Sequence, residues 1–245
     1  MPNLFRIEFD EFLPSGEYSR GRFDMEGRLE NLLNFVHEQT TGSKDPSHDF
    51  LHISRVYKWA LRIGQKEGVN LRILLPAALL HDLVNLSKDH PHRAKASSMS
   101  AVAADRVLLN HNYLSEERKK ICDVIIEHSF SLGKKPSSLE SAILQDADRL
   151  DALGAVGIMR MVTCGCLMRR VYYHAEDPFA KERVLDDQTF TIDHVYKKLF
   201  KLPALMNTEM ALCEAKERMK FMELFIAQLN HEITTLPRED DTLWT

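Results

Sequence analysis

The chain has 245 residues, of which 44% are hydrophobic, enough to bury the core of one compact domain. Lysine and arginine total 32 against 36 aspartates and glutamates, so the net charge of -4 excludes the basic surplus of an obligate nucleic-acid-binding protein. Four scattered cysteines exclude a dense disulfide framework and indicate reduced, mostly packed thiols. Charges interrupt the apolar N-terminal residues, so we expect neither a signal peptide nor a membrane span, and a cytoplasmic location.

Apolar residues recur at helical spacing along almost the whole chain, and no segment shows the alternation of a strand. Ser115 marks one helix start, Ser137 and Glu140 form a capping box at another, and Pro76 predicts that a helix begins or kinks there. The predicted fold is therefore all-α. Its helices lie near residues 25–39, 49–66, 72–86, 96–110, 116–129, 138–162, 189–201 and 208–233.

The domain organisation is expected to be simple, with one domain over residues 1–245. Within this range, residues 1–24 approximately form an N-terminal extension, and a C-terminal helix and tail occupy about 205–245. Six apolar residues of that last helix form a stripe at helical spacing, which favours core packing over a dimeric coiled coil. They are Leu212, Ala215, Met219, Met222, Ile226 and Leu229.

Ionisable residues interrupt three of the predicted apolar helix faces. His52 borders the buried face of the second helix, one turn after His48. His81 and Asp82 lie inside the apolar run AALLHDLV at 77–84, and Asp148 lies in ILQDADRLDALGAVG at 143–157. Each has an ordinary structural explanation when it is considered alone. His52 would be a capped core histidine, and Asp148 would pair with Arg149 or Arg55 while Asp146 and Asp151 face water.

The four residues His52, His81, Asp82 and Asp148 are better explained together. Burying an unpaired carboxylate or imidazole costs several kcal/mol, whereas one shared cation satisfies all four groups. Two imidazoles and two carboxylates are a suitable ligand set for a divalent metal. The 29 residues from His52 to His81 and the 66 from Asp82 to Asp148 exclude a local finger motif. The site would have to be assembled by packed helices.

These residues follow the pattern H…HD…D, with the last aspartate inside the tetrapeptide ADRL. In this respect the chain resembles the HD-domain superfamily of metal-dependent phosphohydrolases, and within it the YedJ and YpgQ branch, from about residue 28 to about 203. The segments that carry the resemblance are HDFLHISRV at 48–56, LLHDLVNLSKDHPHR at 79–93, IIEHSF at 125–130, QDADRLDALGAVG at 145–157, EDPFA at 176–180 and RVLDD at 183–187.

The resemblance implies a compact helical bundle with a metal site between core helices. Its ligands would be His52, His81, Asp82 and Asp148. One divalent ion is expected, with Mn or Mg favoured and Fe, Co, Ni or Zn also compatible with the mixed donors. The implied reaction is hydrolysis of a small phosphate compound, with a nucleotide and nucleoside triphosphate pyrophosphohydrolysis favoured. Phosphomonoesterase and cyclic phosphodiesterase activities stay open, as does the oligomeric state.

Basic residues near the HD pair are candidates for binding the substrate phosphates. The branch resemblance favours Lys88 and Arg93 in the stretch SKDHPHRAK, and Arg55 is a further candidate. The alternative is that this stretch is an ordinary solvated loop.

The group that transfers protons is less well defined. Several HD enzymes carry a carboxylate four residues after the central histidine, where this chain has Asn85. A neutral amide can position water but cannot accept its proton. Glu127, Asp89 or His128 could serve as acid or base, or no dedicated base is required. His128 follows apolar residues of its helix and is expected to line the metal cleft without being one of the four ligands, although a capped helix-end histidine is the alternative.

Two further alternatives concern larger units. The late motif RVLDDQTFTIDHVYKKLFKLP contains ionisable residues that either cap and pair locally or, by the resemblance, form a lid or a wall for the base. They are Arg183, Asp186, Asp187, Asp193, His194 and Lys201. For the whole protein, Asn85 would fit a noncatalytic metal and nucleotide-binding regulatory module, and a purely structural metal is the third interpretation.

Overall fold

The computed structural model describes residues 19–42, 45, 47–86, 90–129 and 133–235, with side chains from residue 27 onward. Within these ranges the chain forms helices and no strand, apart from one isolated bridge between Val171 and Phe190, which confirms the all-α prediction. The helices are α1 (Ser19–Thr40), α2 (Phe50–Glu67), α3 (Leu71–Leu80), α4 (Ala96–Asn110), α5 (Ser115–Glu127), α6 (Leu139–Asp151), α7 (Gly154–Leu167), α8 (Asp193–Lys197) and α9 (Glu209–Thr234).

Side-chain caps begin several of these helices. The Asp49 carboxylate accepts the His52 N–H at 2.9 Å and so begins α2. The capping box predicted at Ser137 is wrong by one residue, because Ser138 is the cap of α6 and accepts the Ser141 N–H. Ser137 instead donates its hydroxyl to Glu127.

Three predicted helices end early or are interrupted in the structure. The helix expected over 72–86 ends at Leu80, and Pro76 lies buried inside it rather than at its start. The helix expected over 138–162 is divided into α6 and α7 by a bend of 74°. Gly154 begins α7 with a φ of 71°, a conformation that glycine adopts without steric cost. The helix expected over 189–201 is the short α8 followed by a 3₁₀ turn, Leu199–Leu205.

The packing of the helices brings the predicted ligand segments together. Helix α2 packs against both α3 and α6, while α5 contacts α3, α4 and α6. The buried apolar side chains form one cluster from α1 to α9. Ala215, Met222 and Ile226 belong to it and Leu229 packs against it, so the packing role predicted for the α9 stripe holds for four of its six residues. As a result α2, the turn after α3 and α6 meet beside one cleft.

The four thiols are only partly packed. Cys122 and Cys164 are half-buried, but Cys166 and Cys213 are exposed, so the expectation of mostly packed cysteines holds for two of the four. All four are free thiols. Across the described ranges, no single helix has the length and apolar content needed to cross a bilayer, and only the bent pair α6 and α7 reaches that criterion jointly.

Candidate metal centre

Four side chains from three segments converge at one end of the core. The His52 Nε2 atom lies 3.5 Å from Asp82 Oδ2 and 3.7 Å from Asp148 Oδ1, and His81 Nε2 lies 3.6 Å from Asp82 Oδ2. Both imidazoles are fully buried, whereas 20% of the Asp82 side chain and 26% of the Asp148 side chain are exposed. The imidazoles therefore form the floor of the site, and the carboxylates face the cleft above it.

The hydrogen bonds of the two histidines favour metal binding. His52 Nδ1 contacts Asp151 Oδ2 at 2.7 Å, and His81 Nδ1 contacts the Ala78 carbonyl at 2.9 Å. In the neutral form each Nδ1 carries the hydrogen, so each Nε2 presents a lone pair to the site. Both Nε2 atoms are buried and have no hydrogen-bond partner among the described residues. A divalent cation would satisfy both, and the N and O donors suit it.

Asp151 supports the metal centre through its contact with the Nδ1 atom of His52. Its fully buried carboxylate accepts Arg55 Nε at 2.5 Å, Arg55 Nη2 at 3.0 Å and Arg160 Nη1 at 2.9 Å in addition to His52. Burial would raise the pKa of Asp151, but the hydrogen bonds from His52 and Arg55 hold that pKa below its ordinary value. Asp151 does not face water as the simplest interpretation assumed. The Arg55 guanidinium is engaged with it rather than with the cleft.

Burial and charge keep two of the proposed ligands, His81 and Asp82, in the protonation states that a metal requires. Burial of the His81 ring lowers its pKa to about 4, so this imidazole is neutral near pH 7. Burial opposes ionisation of Asp82, but His81, His128 and His52 lower the Asp82 pKa well below its ordinary value. The site therefore presents a neutral imidazole beside an ionised carboxylate.

His128 lies at the edge of the same site. Its Nδ1 contacts the Ile125 carbonyl at 2.6 Å, and its Nε2 lies 3.7 Å from Asp82 Oδ1. The ring packs edge-on against His81, with centroids 5.0 Å apart. Donor atoms of His81, Asp82 and His128 are close enough to hold an ion, as are those of His52, His81 and Asp148. His128 thus lines the cleft as expected, and its chemical role stays a prediction.

The other candidate acid, base and substrate residues are placed differently. Asn85 is exposed, donates its amide to Asp45 at 3.2 Å and accepts Arg93 Nη1 at 2.8 Å, so a carboxylate at this position would face that of Asp45. Glu127 accepts the Ser137 N–H at 2.9 Å and does not line the cleft. Arg93 does line it. Lys88 and Asp89 lie outside the described residues.

The cleft in front of the metal centre encloses about 310 Å³ and is rich in cationic side chains. Sequence reasoning selected only one of them, and considered Arg149 solely as a partner for Asp148. Arg160 interrupts the apolar run AVGIMRMV, the same signal that identified His52, so it could have been found. The arginines and lysines that line the cleft are Arg93, Arg149, Arg160, Arg170 and Lys198.

A histidine–carboxylate pair formed by His48 and Asp45 was also missed as part of the site. His48 lines the cleft, and its Nδ1 contacts Asp45 Oδ2 at 2.9 Å and the Ser47 hydroxyl at 3.0 Å. The Asp45 pKa lies below its ordinary value, chiefly because of the hydrogen bond to His48. Asp45 also holds Asn85, so one carboxylate connects the cleft histidine to the Asn85 amide.

The late motif forms local pairs and also lines the cleft, while its contact with a base stays a prediction. Arg183 binds the fully buried Asp193 through two hydrogen bonds of 2.6 and 2.7 Å, a structural pair. Asp187 contacts His194 Nδ1 at 2.9 Å and accepts Lys197 Nζ at 2.6 Å. Asp187 and His194 also line the cleft, so the segment forms one of its walls.

Known proteins share this architecture and its sequence signature. Residues 50–153 match the HD domain family. The protein YpgQ of Bacillus subtilis (strain 168) is 34% identical over 217 residues, which cover 86% of this chain and 97% of YpgQ. The chain belongs to the HD superfamily. It is accordingly a metal-dependent phosphohydrolase, and the family resemblance seen in the sequence is confirmed.

Solved HD-superfamily structures superpose over most of the chain. The structure of Bacillus subtilis YpgQ in complex with ADP is 32% identical, with a TM-score of 0.66, over 84% of this chain and 98% of that one. An HD-superfamily hydrolase from Bacillus thuringiensis is also 32% identical, with a TM-score of 0.66, over 86% of this chain and 100% of that one.

Proposed function

We propose that this HD-superfamily enzyme hydrolyses nucleotides, and acts on nucleoside triphosphates as a pyrophosphohydrolase. The observation that carries the proposal is the cleft itself, in which two buried imidazole nitrogens without partners among the described residues lie beneath walls of arginine and lysine. His52, His81, Asp82 and Asp148 would hold one divalent cation, for which Mn or Mg is favoured. When bound, it supplies a Lewis acid for water activation and phosphoryl charge.

The charges of the cleft favour a polyanionic substrate. Five arginine and lysine side chains line it, against three aspartates, Asp82, Asp148 and Asp187. Two of these carboxylates are the proposed metal ligands, so the cationic walls exceed the remaining acidic charge. Arginine binds phosphoryl oxygens through paired hydrogen bonds, and its charge persists at all physiological pH values. A triphosphate chain therefore matches the cleft better than a single phosphoester does.

Other residues of the chain would bind the phosphates and transfer protons. The cleft arginines, among them Arg93, would hold the phosphates in line for attack by water, with Lys88 as a further phosphate donor. His128 lies beside Asp82 and is the residue proposed to exchange a proton with the reacting groups. The cleft volume is in the range of small-ligand pockets. The ADP complex of Bacillus subtilis YpgQ supports a nucleotide as the ligand.

A substrate panel with a ligand variant tests the proposal. Protein stripped by chelation and reloaded with Mn²⁺ or Mg²⁺ should convert nucleoside triphosphates to monophosphates and pyrophosphate, identified by chromatography and phosphorus NMR. Asp82→Ala should lose both bound metal, measured by elemental analysis, and activity. Asp123→Ala removes an exposed carboxylate from α5 and should leave both unchanged. Preferential cleavage of monophosphates, or full metal content and turnover in Asp82→Ala, would contradict the proposal.

A further inference from the structure

Arg170 differs from the other arginines of the cleft because its side chain has no partner among the described residues. It follows α7, is half-buried and lines the cleft, yet within the described part of the chain its side chain makes no hydrogen bond or ion pair. Its Nε atom is closed off from water and has no acceptor in the part of the chain that the structure describes. By contrast, Arg160 donates to the Ser47 carbonyl and to Asp151. Arg149 donates to the Leu205 carbonyl and to the Gln145 amide.

An unpaired guanidinium in this position is costly without a ligand. Arginine stays protonated in proteins, so burial cannot be relieved by loss of its proton. A partly buried charge is normally paired, because removing it from water is unfavourable. An anion that enters the cleft would supply the partner that the described residues do not. The planar fork of Arg170 fits the oxygens of a phosphate.

The backbone before Arg170 directs this side chain into the cleft. Helix α7 ends in a turn in which the Met168 N–H donates to Cys164 O at 3.0 Å and the Arg170 N–H donates to Gly165 O at 2.9 Å. Arg169 takes the left-handed conformation in this turn, with a φ of 55°, which is unfavourable for a residue other than glycine. The turn leaves Arg169 exposed and places Arg170 against the cleft.

We infer that Arg170 forms an anion subsite of the cleft, distinct from the metal centre, that binds the part of a phosphate chain extending beyond the metal. The metal ligands come from α2, the turn after α3 and α6, whereas Arg170 follows α7, so the two groups belong to different walls. The inference rests on the proposed function in that the ligand is a polyphosphate, but it does not require hydrolysis. Such a subsite would select substrates by the length of their phosphate chain.

Neighbouring arginines provide a matched test. Inorganic tripolyphosphate and orthophosphate are titrated calorimetrically into the full-length protein with Mg²⁺ in excess, for wild type, Arg170→Gln, Arg169→Gln and Arg170→Lys. Arg170→Gln should weaken tripolyphosphate binding by roughly 10- to 100-fold, the effect of a lost charge-assisted hydrogen bond. Orthophosphate binding should change by less than about threefold, because it occupies the metal centre, and Arg169→Gln should match wild type.

The controls separate this inference from the proposed function. Metal content should be the same in all variants. Arg170→Lys keeps the charge but loses the planar guanidinium, so its tripolyphosphate affinity should fall by about threefold or more. This variant tests the subsite even if Arg170→Gln does not fold. Equal effects at positions 169 and 170, or equal losses for tripolyphosphate and orthophosphate, would overturn the subsite. Nucleoside triphosphate turnover is measured in parallel. A wild type that binds tripolyphosphate through Arg170 without hydrolysing nucleotides would refute only the function.

Discussion

At the residue scale, a carboxylate that is not a proposed metal ligand, Asp151, controls the orientation of a histidine that is, His52. Asp151 holds the Nδ1 side of His52 at 2.7 Å, and Arg55 and Arg160 hold Asp151 in turn. This arrangement fixes which imidazole nitrogen carries the hydrogen and aims the other at the metal centre. Two arginines therefore contribute to the site through Asp151, one of them without lining the cleft.

Asp151→Asn should weaken divalent metal binding by about 10- to 100-fold, because the amide is a poorer acceptor for His52 and leaves two arginines without their counter-charge. Competition with a fluorescent chelator measures the affinity. Asp105→Asn is the control, since Asp105 pairs with Arg118 at the surface and its side chain is 48% exposed. Equal metal affinity in the wild type and Asp151→Asn would show that the contact of His52 with the Asp151 carboxylate does not support metal binding.

His128→Ala should retain about one metal per chain but lower turnover by roughly 10²- to 10⁴-fold, the effect of losing a positioned acid or base. Steady-state kinetics and elemental analysis measure the two quantities. His111→Ala is a matched control, because His111 also ends a helix and its Nδ1 contacts a carbonyl, that of Val107, at 2.8 Å. Loss of the metal would make His128 a primary ligand. Unchanged turnover would make it a capped helix-end histidine.

At the scale of elements, glycines set the position of α7 and hence of the cleft wall that it carries. A Cβ at Gly157 would lie 2.2 Å from the Ala152 carbonyl oxygen, so the bend between α6 and α7 requires a glycine there. A Cβ at Gly165 would lie 2.4 Å from Thr191 Oγ1. The close approach of α7 to the segment around Thr191 brings Arg160 and Asp187 to the same cleft.

Gly165→Ala should lower the free energy of unfolding by about 1–3 kcal/mol, because the added methyl group forces α7 away from Thr191. Urea denaturation followed by circular dichroism measures the change. Gly27→Ala makes the same substitution in α1, where no atom lies within 4 Å of the new Cβ, and should stabilise the protein by roughly 0.5–1 kcal/mol. If Gly165→Ala left the free energy of unfolding unchanged or raised it, α7 and the segment around Thr191 would be able to move apart without loss of stability.

At the scale of the whole molecule, the metal centre links parts of the chain that are far apart in sequence. His52 lies in α2, His81 and Asp82 follow α3, and Asp148 lies in α6. An unfolded chain cannot hold these groups together, so the free energy of metal binding adds to that of folding. The buried Nε2 atoms, which have no partner within the described ranges, are satisfied in the same step.

Removal of the metal should therefore lower the melting temperature. A cation at a hundred times its Kd stabilises the folded state by about 2.7 kcal/mol, which for a chain of this size corresponds to roughly 5–10 °C. Differential scanning calorimetry with Mn²⁺ and with a chelator measures the shift. Asp82→Ala should melt at one temperature in both conditions. If the melting temperature of the wild type were also unchanged by the metal, the metal would not bind the folded state in preference to the unfolded chain.

The sequence alone determined the helical fold and the proposed metal ligands, because both depend on local patterns. Helical periodicity is visible within a few turns, and His52, His81, Asp82 and Asp148 were conspicuous as ionisable residues on apolar faces. The bend at Gly154 could not be read in the same way, since the apolar pattern continues across it.

Only the tertiary structure decided which polar groups meet. Arg55 and Asp151 are 96 residues apart, and no local pattern distinguishes their contact from a solvated pair. Asp146, taken to face water, is fully buried and accepts the N–H groups of Asn207 and Thr208 at distances of 2.9 and 2.8 Å. The cleft positions of Arg149 and Arg170 were likewise hidden, because the sequence pattern of a charged side chain is the same at a solvated surface and in a pocket until the facing wall is known.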